Sequence, residues 1–314
     1  QAEYVIFVGG LDQTVEGEGY FLDKEADEKG GGKVSKPDRV SGTVLLPGLQ
    51  NALIQEIAKV NPNIILVIFS GGICSVTPIE DKVKGILYGF YAGQEGGKAV
   101  TDVLFGDYNP SGKLPATMPK NDDQIMPIGP DFTDMVSKGT GYRWFDSQNL
   151  TPQYAFGYGL SYTQFEYTNI RANNENIKIG EPVNISFDLK NIGDKKGEEV
   201  AQLYLSSNPS TSKFPMPKKQ LRDFEKIALE AGETKTITFQ LESEDFYIYD
   251  ETKASYHIPT GQYTVSIGGS SDNLRLQKDL LLIPQPSKPD LSIVNIKTVP
   301  AFPKVGDEVV FTAS

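Results

Sequence analysis

The chain has 314 residues, 39% of them hydrophobic and 23% charged, which is the composition of a folded protein with room for two or three domains. Its net charge of -11 argues against nucleic acid as a partner, and no apolar run has the ~18 residues that a membrane span needs. Because Cys74 and His257 are the only residues of their types, an internal disulfide, a Cys/His zinc site and a CxxC redox motif are excluded. We therefore expect no metal or cofactor, and we expect acid–base chemistry to use carboxylates, tyrosine or lysine.

Residues 1–120 alternate strand and helix patterns, which is typical of an α/β domain. The predicted elements, in chain order, are a buried strand over 4–8, a helix over 49–60, a strand at Ile64–Phe69, a strand over 83–89 and a helix over 96–104. The third of these elements is apolar throughout, so we expect it to be buried on both faces, as in a parallel sheet. This part of the chain therefore predicts a partial α/β sandwich with a mostly parallel sheet.

The remainder of the chain changes character twice. Residues 121–165 are rich in proline, glycine and aromatic residues with little periodicity, which predicts an ordered connector. Residues 166–284 contain alternating segments separated by turns, which predicts a β-sandwich of fibronectin-III or immunoglobulin type, with strands over 183–190, 201–205, 234–241 and 262–267. Residues 285–314 are predicted to be a proline-rich hinge and the start of another β-module, with strands over 290–296 and 305–311. Neither end resembles a domain boundary, so we expect a piece of a longer protein.

The loop after the first predicted strand carries two carboxylates, Glu16 and Glu18, each followed by a glycine. Loops at the carboxyl ends of strands in open α/β sheets bind ligands. A carboxyl group whose pKa is raised by burial or by a second carboxylate can act as a general acid. Judged from these residues alone, a solvated acidic loop is the alternative interpretation.

Two further glycine-rich turns follow predicted strands. Ser70 begins a Ser-Gly-Gly turn, but the segment is not GxSxG and has no histidine near it, so a tight structural turn is favoured over a nucleophile. Glu95 precedes a predicted helix, where a carboxylate could cap the helix or meet substrate hydroxyls, and the capping interpretation is favoured.

Taken in order, these segments resemble the C-terminal half of glycoside hydrolase family 3, of the β-glucosidase and β-xylosidase type. The resemblance covers about residues 4–283, and its motifs are LDQTVEGEG, PDRVSGTVLLPGLQNALI, NPNIILVIFSGGI, YAGQEGGKAVTDVLFGDYNPSGKLPATMP, GYRWF and YAFGYGLSYTQFEY. The segment GEEVAQLYLSS and the one that begins at KQLRDFEKIAL are similar to the family's fibronectin type III-like domain.

The resemblance implies a retaining exo-β-glycosidase that removes terminal glucose or xylose from β-linked oligosaccharides or aryl glycosides, and that is secreted or periplasmic. It implies that the general acid/base glutamate lies in this chain, with Glu18 favoured and Glu16 as the alternative. A TIM-type barrel, in another domain or chain, would supply the aspartate nucleophile, with roughly 5–5.5 Å between the two carboxyl groups. This chain would then be incomplete by itself.

The chain departs from the family pattern in one respect that bears on the site. The family places an Asp-Arg pair within a few residues of the glutamate, whereas residues 21–37 here intervene before Asp38 and Arg39. This charged, glycine-rich stretch reads as an exposed insertion, and it leaves the choice between Glu16 and Glu18 open. The competing interpretation of the whole chain is a non-catalytic carbohydrate-binding or structural module of a secreted protein.

Overall fold

The computed structural model describes residues 2–12, 15, 43–127, 139–207, 217–250, 253–285, 296–299 and 310–313, the last two ranges at the level of the backbone. Its first region contains a three-stranded parallel sheet in the order β1-β2-β3, made of β1 (Val5–Gly10), β2 (Ile64–Phe69) and β3 (Gly85–Tyr88). Helices α1 (Gln50–Ala58) and α2 (Gly96–Phe105) follow the first and third of these strands. The predicted α/β pattern is therefore confirmed.

The central strand β2 is buried on both faces. Ile64, Leu66, Val67 and Ile68 each have no exposed surface, and β1 and β3 pair with β2 on its two sides. An apolar run without alternation is what a doubly covered parallel strand requires. The predicted burial of this segment is confirmed.

The prediction that the first strand is also buried is wrong for one of its faces. Val5 and Phe7 pack against the buried cluster of this region, but Ile6 and Val8 are 48% and 61% exposed. Successive side chains of a strand point to opposite faces, so within the described part of the chain one face of the edge strand β1 is not covered.

Helix α1 also has apolar residues both in the core and exposed to water. Ile54 is fully buried and Ile57 packs against the same core, whereas Leu49 and Leu53 are 81% and 51% exposed. The predicted apolar stripe is present, but only part of it meets the sheet. Among the described residues, no helix is long and apolar enough to cross a membrane.

The predicted connector contains a helix, α3 (Tyr142–Gln148), that its sequence pattern does not indicate. The helix starts after Gly141, which has a positive φ of 55°, and stops at Asn149, whose left-handed conformation (φ 53°) is of the kind that commonly ends helices. Phe145 is buried, and the indole nitrogen of Trp144 donates to the Gln124 carbonyl at 3.1 Å. Seven residues make about two turns, which is too short for a helical period to be read from sequence.

The second region is a two-sheet β-sandwich, which confirms the predicted all-β part of the fold. One sheet has the order β5-β13-β12-β7-β8 and the other β4-β6-β9, and a separate hairpin joins β10 to β11. The strands are β4 (Phe165–Ala172), β5 (Asn176–Lys178), β6 (Val183–Asn191), β7 (Gly197–Ser207), β8 (Gln220–Leu229), β9 (Thr234–Leu241), β10 (Ile248–Asp250), β11 (Ser255–His257), β12 (Gly261–Ser270) and β13 (Asn273–Ile283).

The core of the sandwich follows from alternation along its strands. In β6, Val183, Ile185, Phe187 and Leu189 are all fully buried, and the residues between them are less buried. A period of two places every second side chain between the sheets. Beyond the sandwich, β14 (Ile296–Val299) pairs antiparallel with β15 (Val310–Ala313), a few residues later than each predicted strand of the last module.

Charged and polar side chains join the two regions. The Lys113 ammonium lies 3.2 Å from a Glu199 carboxylate oxygen, and the Tyr167 hydroxyl donates to that carboxylate at 2.9 Å. All three side chains are largely buried, and burial together with the negative charge of Glu199 raises the pKa of Tyr167 so that it stays protonated. The segment after α2 is thereby fastened to β7.

Candidate active site

The carboxyl ends of the three parallel strands lie side by side at one edge of the sheet. Gly10 of β1 pairs with Phe69 of β2, and Ile68 pairs with Tyr88 of β3. The loop after β1, the Ser70 turn and the turn before α2 therefore all leave from the same edge. In open α/β sheets this edge is where ligands bind.

A pair of glycines fixes how the chain leaves β1. Gly10 has φ of +135°, and a Cβ on it would lie 1.8 Å from the Phe69 carbonyl oxygen. The side-chain amide of Gln50 accepts from the Gly10 N–H and donates to the Gly10 carbonyl, both at 2.9 Å, and a Cβ on Gly9 would lie 2.4 Å from its oxygen. Only glycine permits the close approach of backbone to backbone at position 10, whereas a Cβ at position 9 would displace the Gln50 amide.

Past Gly10 the chain stays at this edge. The Leu11 N–H donates to the Phe69 carbonyl at 2.9 Å, and the Val15 N–H donates to the Asp12 carbonyl at 3.0 Å. Glu16 and Glu18 lie outside the described residues. Their assignment as alternative acid/base residues stays a prediction.

The Ser70 turn is a structural turn, as the sequence favours. Ser70 is fully buried, and its hydroxyl oxygen lies 2.7 Å from the Gly72 carbonyl and 2.9 Å from the Tyr88 hydroxyl. The Cys74 N–H donates to the Tyr88 hydroxyl at 2.6 Å, and burial raises the pKa of Tyr88. The Ser70 hydroxyl therefore stabilises the turn and is buried below the protein surface at this edge of the sheet.

Phe90 is a feature of this edge that sequence reasoning missed. It follows β3 with φ of 49°, a left-handed conformation that is strained by about 1–2 kcal/mol for a residue with a side chain. Its ring packs against Tyr88 with 4.7 Å between the centroids. Nothing in the residue type signals positive φ, because glycine, asparagine and aspartate are the residues enriched there.

The capping interpretation of Glu95 is wrong. Glu95 stands at the position before α2, but within the described residues its side chain makes no capping hydrogen bond and is exposed. Its carboxylate is therefore directed to solvent near the edge, and a contact with substrate hydroxyls stays a prediction.

The described residues offer no group of three or more His, Cys, Asp or Glu side chains that could hold a metal ion. Cys74 is buried and belongs to no disulfide. A concavity of about 500 Å³ lies where the two regions meet and is lined by Lys113, Glu199 and Arg275 among others. Lys113 and Glu199 already neutralise one another there, so this concavity lacks the free carboxylate that hydrolysis needs.

Two family models match the chain. The model described as "Glycosyl hydrolase family 3 C-terminal domain" matches residues 1–162, and the "Fibronectin type III-like domain" matches residues 199–271. These matches cover the parallel sheet with its edge loops and much of the β-sandwich.

Similar proteins agree with these models. Thermostable beta-glucosidase B of Acetivibrio thermocellus is 36% identical over 245 residues, which cover 75% of this chain and 32% of that protein. Xylan 1,4-beta-xylosidase of Xylanibacter ruminicola is 37% identical over 276 residues, covering 88% and 29%. The crystal structure of Beta-D-glucoside glucohydrolase from Trichoderma reesei superposes with a TM-score of 0.74 at 30% identity, covering 88% of this chain and 40% of that one. The chain thus spans about a third of the length of the curated relatives it matches.

Proposed function

Because the chain belongs to glycosyl hydrolase family 3, we propose that it forms part of a retaining exo-β-glycosidase and supplies the general acid/base glutamate. Its relatives named above are a β-glucosidase and a xylan β-xylosidase, so the proposed substrates are β-linked oligosaccharides and aryl glycosides with a terminal glucose or xylose. The observation that carries the proposal is the match of the family model to residues 1–162. These residues include Gly9 and Gly10 at the end of β1 and the acidic segment that follows them in the sequence.

The proposed acid/base residue is Glu18, with Glu16 as the alternative. In the first step its carboxyl group gives a proton to the glycosidic oxygen as the bond from that oxygen to C1 breaks. An aspartate carboxylate from a barrel domain or chain bonds to C1 in the same step. In the second step the deprotonated glutamate takes a proton from the water that attacks C1, and the aspartate leaves.

The test is the pair of variants Glu18→Ala and Glu16→Ala, made in the natural full-length protein. We expect Glu18→Ala to slow hydrolysis of β-glycosides with poor leaving groups by about 10²–10⁴-fold. Activated aryl glycosides should be affected far less, because their leaving groups need no proton, and azide should restore the rate on them as a substitute nucleophile.

Glu95→Ala is the matched control, since it removes an exposed carboxylate near the carboxyl ends of the strands that is not a candidate for the acid/base role. If Glu16→Ala gives the leaving-group dependence and the azide rescue while Glu18→Ala does not, the acid/base residue is Glu16. If neither variant does, the acid/base proposal for this loop is wrong.

The uncovered apolar face of β1 supports the barrel-containing partner. Ile6 and Val8 are about half exposed or more, and parallel sheets are found with both faces covered. We propose that protein outside this chain covers these residues. Sequencing the reading frame on the N-terminal side of Gln1 tests this, because a barrel with a nucleophilic aspartate there, or in a co-purifying chain, is required. Its absence from both places would favour the non-catalytic module.

Export to the cell surface or periplasm is a further part of the proposal. Its support is the β14–β15 hairpin, which follows the sandwich and fits the start of an appended β-module of the kind that secreted enzymes carry. Fractionation of the source cells tests the proposal: we expect the protein outside the cytoplasm, and recovery in the cytoplasmic fraction would contradict it.

A further inference from the structure

Three tyrosine rings form an exposed cluster on the hairpin of β10 and β11. Tyr249 and Tyr256 are directly opposite one another in the antiparallel register, and Tyr247 lies two residues before Tyr249, on the same face. The ring centroids of Tyr249 and Tyr256 are 5.1 Å apart, and those of Tyr247 and Tyr256 are 6.0 Å apart. We call Tyr247, Tyr249 and Tyr256 the tyrosine platform.

Alternation along the chain directs these rings outward. Phe246 and Asp250 are each 1% exposed and anchor the inner face of the segment, whereas the three tyrosines between and opposite them are 39%, 50% and 67% exposed. Adjoining aromatic rings that remain in water are the kind of surface that marks an interaction site.

The hydroxyl groups of the platform differ from those of two other exposed tyrosines, Tyr108 and Tyr162, which bond to the protein itself. Tyr108 donates its hydroxyl hydrogen to Glu198, and Tyr162 donates to the Val103 carbonyl. Within the described residues, none of the three platform hydroxyls makes a hydrogen bond. The platform therefore combines apolar ring faces with polar groups that are available to a ligand.

This chemistry selects among possible ligands. A partner helix would be met by aliphatic side chains as well as rings, and an ionic ligand would need charges, whereas the platform is composed of neutral tyrosines. A pyranose ring offers the matching surface, with C–H groups on its faces and hydroxyls around its edge. β-Linked glucose and xylose units have mostly equatorial hydroxyls, which leaves both ring faces apolar.

We propose that the tyrosine platform binds a neutral β-linked polysaccharide of the glucan or xylan type, by stacking sugar rings on its tyrosines. The choice of a β-linked polymer rests on the proposed glycosidase function, while the sugar-binding surface itself rests on the three rings. Bound at this hairpin, the polymer is held on the same polypeptide as the proposed acid/base loop.

The experiment is native affinity electrophoresis of the natural full-length protein in gels that contain mixed-linkage β-glucan, β-1,4-xylan or, as a control polymer, dextran. We expect the two β-linked polymers to retard the protein and dextran not to. The double variant Tyr249→Ala/Tyr256→Ala should bind at least about tenfold more weakly, since truncated aromatic anchors lose on the order of this factor. Tyr256→Trp keeps a ring and should retain binding, and Phe224→Ala, an exposed aromatic on β8, is the matched control.

Hydrolysis of a small aryl β-glycoside, measured on the same samples, separates the two proposals. Unchanged hydrolysis with weakened polymer binding supports the platform. Equal binding by the double variant and the parent protein would overturn the platform whatever the activity is. A parent protein that binds polymer through the tyrosines but hydrolyses no glycoside supports the platform and contradicts the proposed function. If the double variant unfolds, Tyr256→Ala by itself provides the comparison with Tyr256→Trp.

Discussion

In the β-sandwich, two sheets turn their apolar faces toward each other, whereas in the α/β region a three-stranded sheet keeps one face of its edge strand in water. Phe187 in the sandwich has no exposed surface and packs between the rings of Tyr167 and Phe239. Val8 in the α/β region is just as apolar and is 61% exposed. One region therefore buries its own core, and the other leaves an apolar face exposed, which we propose is covered by protein outside this chain.

The two functions that we propose, catalysis and sugar binding, belong to different regions of the molecule. The α/β region carries the edge loops, where the proposed retaining mechanism would take its second carboxylate from outside this chain. The β-sandwich region carries the tyrosine platform, whose three members belong to a single hairpin and its preceding residue. Catalysis should thus depend on assembly, and sugar binding by the platform should not.

The largest effect is expected from truncation of the sandwich core. Phe187→Ala removes a fully buried ring and leaves a cavity, so we expect the free energy of unfolding of the sandwich to fall by about 3–5 kcal/mol. Urea unfolding followed by far-UV circular dichroism measures this change. Phe224→Ala, at a position that is 63% exposed, should cost less than about 0.5 kcal/mol. An equal loss of unfolding free energy in the two variants would contradict the buried position of Phe187 in the sandwich core.

An intermediate effect is expected where the two regions are joined. Lys113→Met leaves the buried Glu199 without its cation, so we expect a loss of about 3 kcal/mol. Trp144, the single tryptophan, lies in α3 and donates to the Gln124 carbonyl, so its fluorescence reports on the connector, while circular dichroism reports mainly on the strands of the sandwich. In Lys113→Met, the unfolding midpoint measured by tryptophan fluorescence should therefore differ from the one measured by circular dichroism.

The control for this variant is Lys196→Met. The ion pair of Lys196 with Glu230 leaves both side chains 64% exposed and screened by water, so its loss should change stability far less than the loss of Lys113. If the two lysine variants behave alike, the buried pair does not join the regions.

The smallest effect is expected on the uncovered face of β1. Val8→Ser should change the stability of the isolated chain by less than about 0.5 kcal/mol, because the side chain is already in water. In the natural full-length protein the same change should cost about 1–2 kcal/mol if another segment covers that face. Val5→Ser, on the covered face of the same strand, should be costly in both proteins. Thermal unfolding of the four samples measures the difference, and an equally small cost of Val8→Ser in both proteins would mean that the face stays uncovered.

Much of the fold could be predicted from local pattern. The period of two in β6 and the unbroken apolar run of β2 each specify a strand and its number of covered faces, because burial acts on side chains in a fixed geometric order. The short helix α3 could not be predicted, since two turns give no period and its ends are set by residues at positive φ. Short strands such as β10 and β11 were missed for the same reason of length.

The candidate site could be predicted less completely. Glycine at positions 9 and 10 indicates a loop with unusual backbone freedom. The two hydrogen bonds that hold Gly10 come from the Gln50 amide, which is 40 positions away and has no sequence signal. The exposed position of Glu95 was equally hidden, because a carboxylate before a helix reads as a cap whether or not it bonds the helix.

The sequence by itself determined the succession of an α/β region and a β-sandwich, the family resemblance and the acidic loop after the first strand, because each depends on residue types and their spacing along the chain. Only the tertiary structure decided which apolar residues stay in water. Ile6 and Val5 are neighbours with the same chemistry, and their difference in exposure comes from what packs on each face of β1. The same holds for the tyrosine platform, whose three rings meet because an antiparallel register places them on one face.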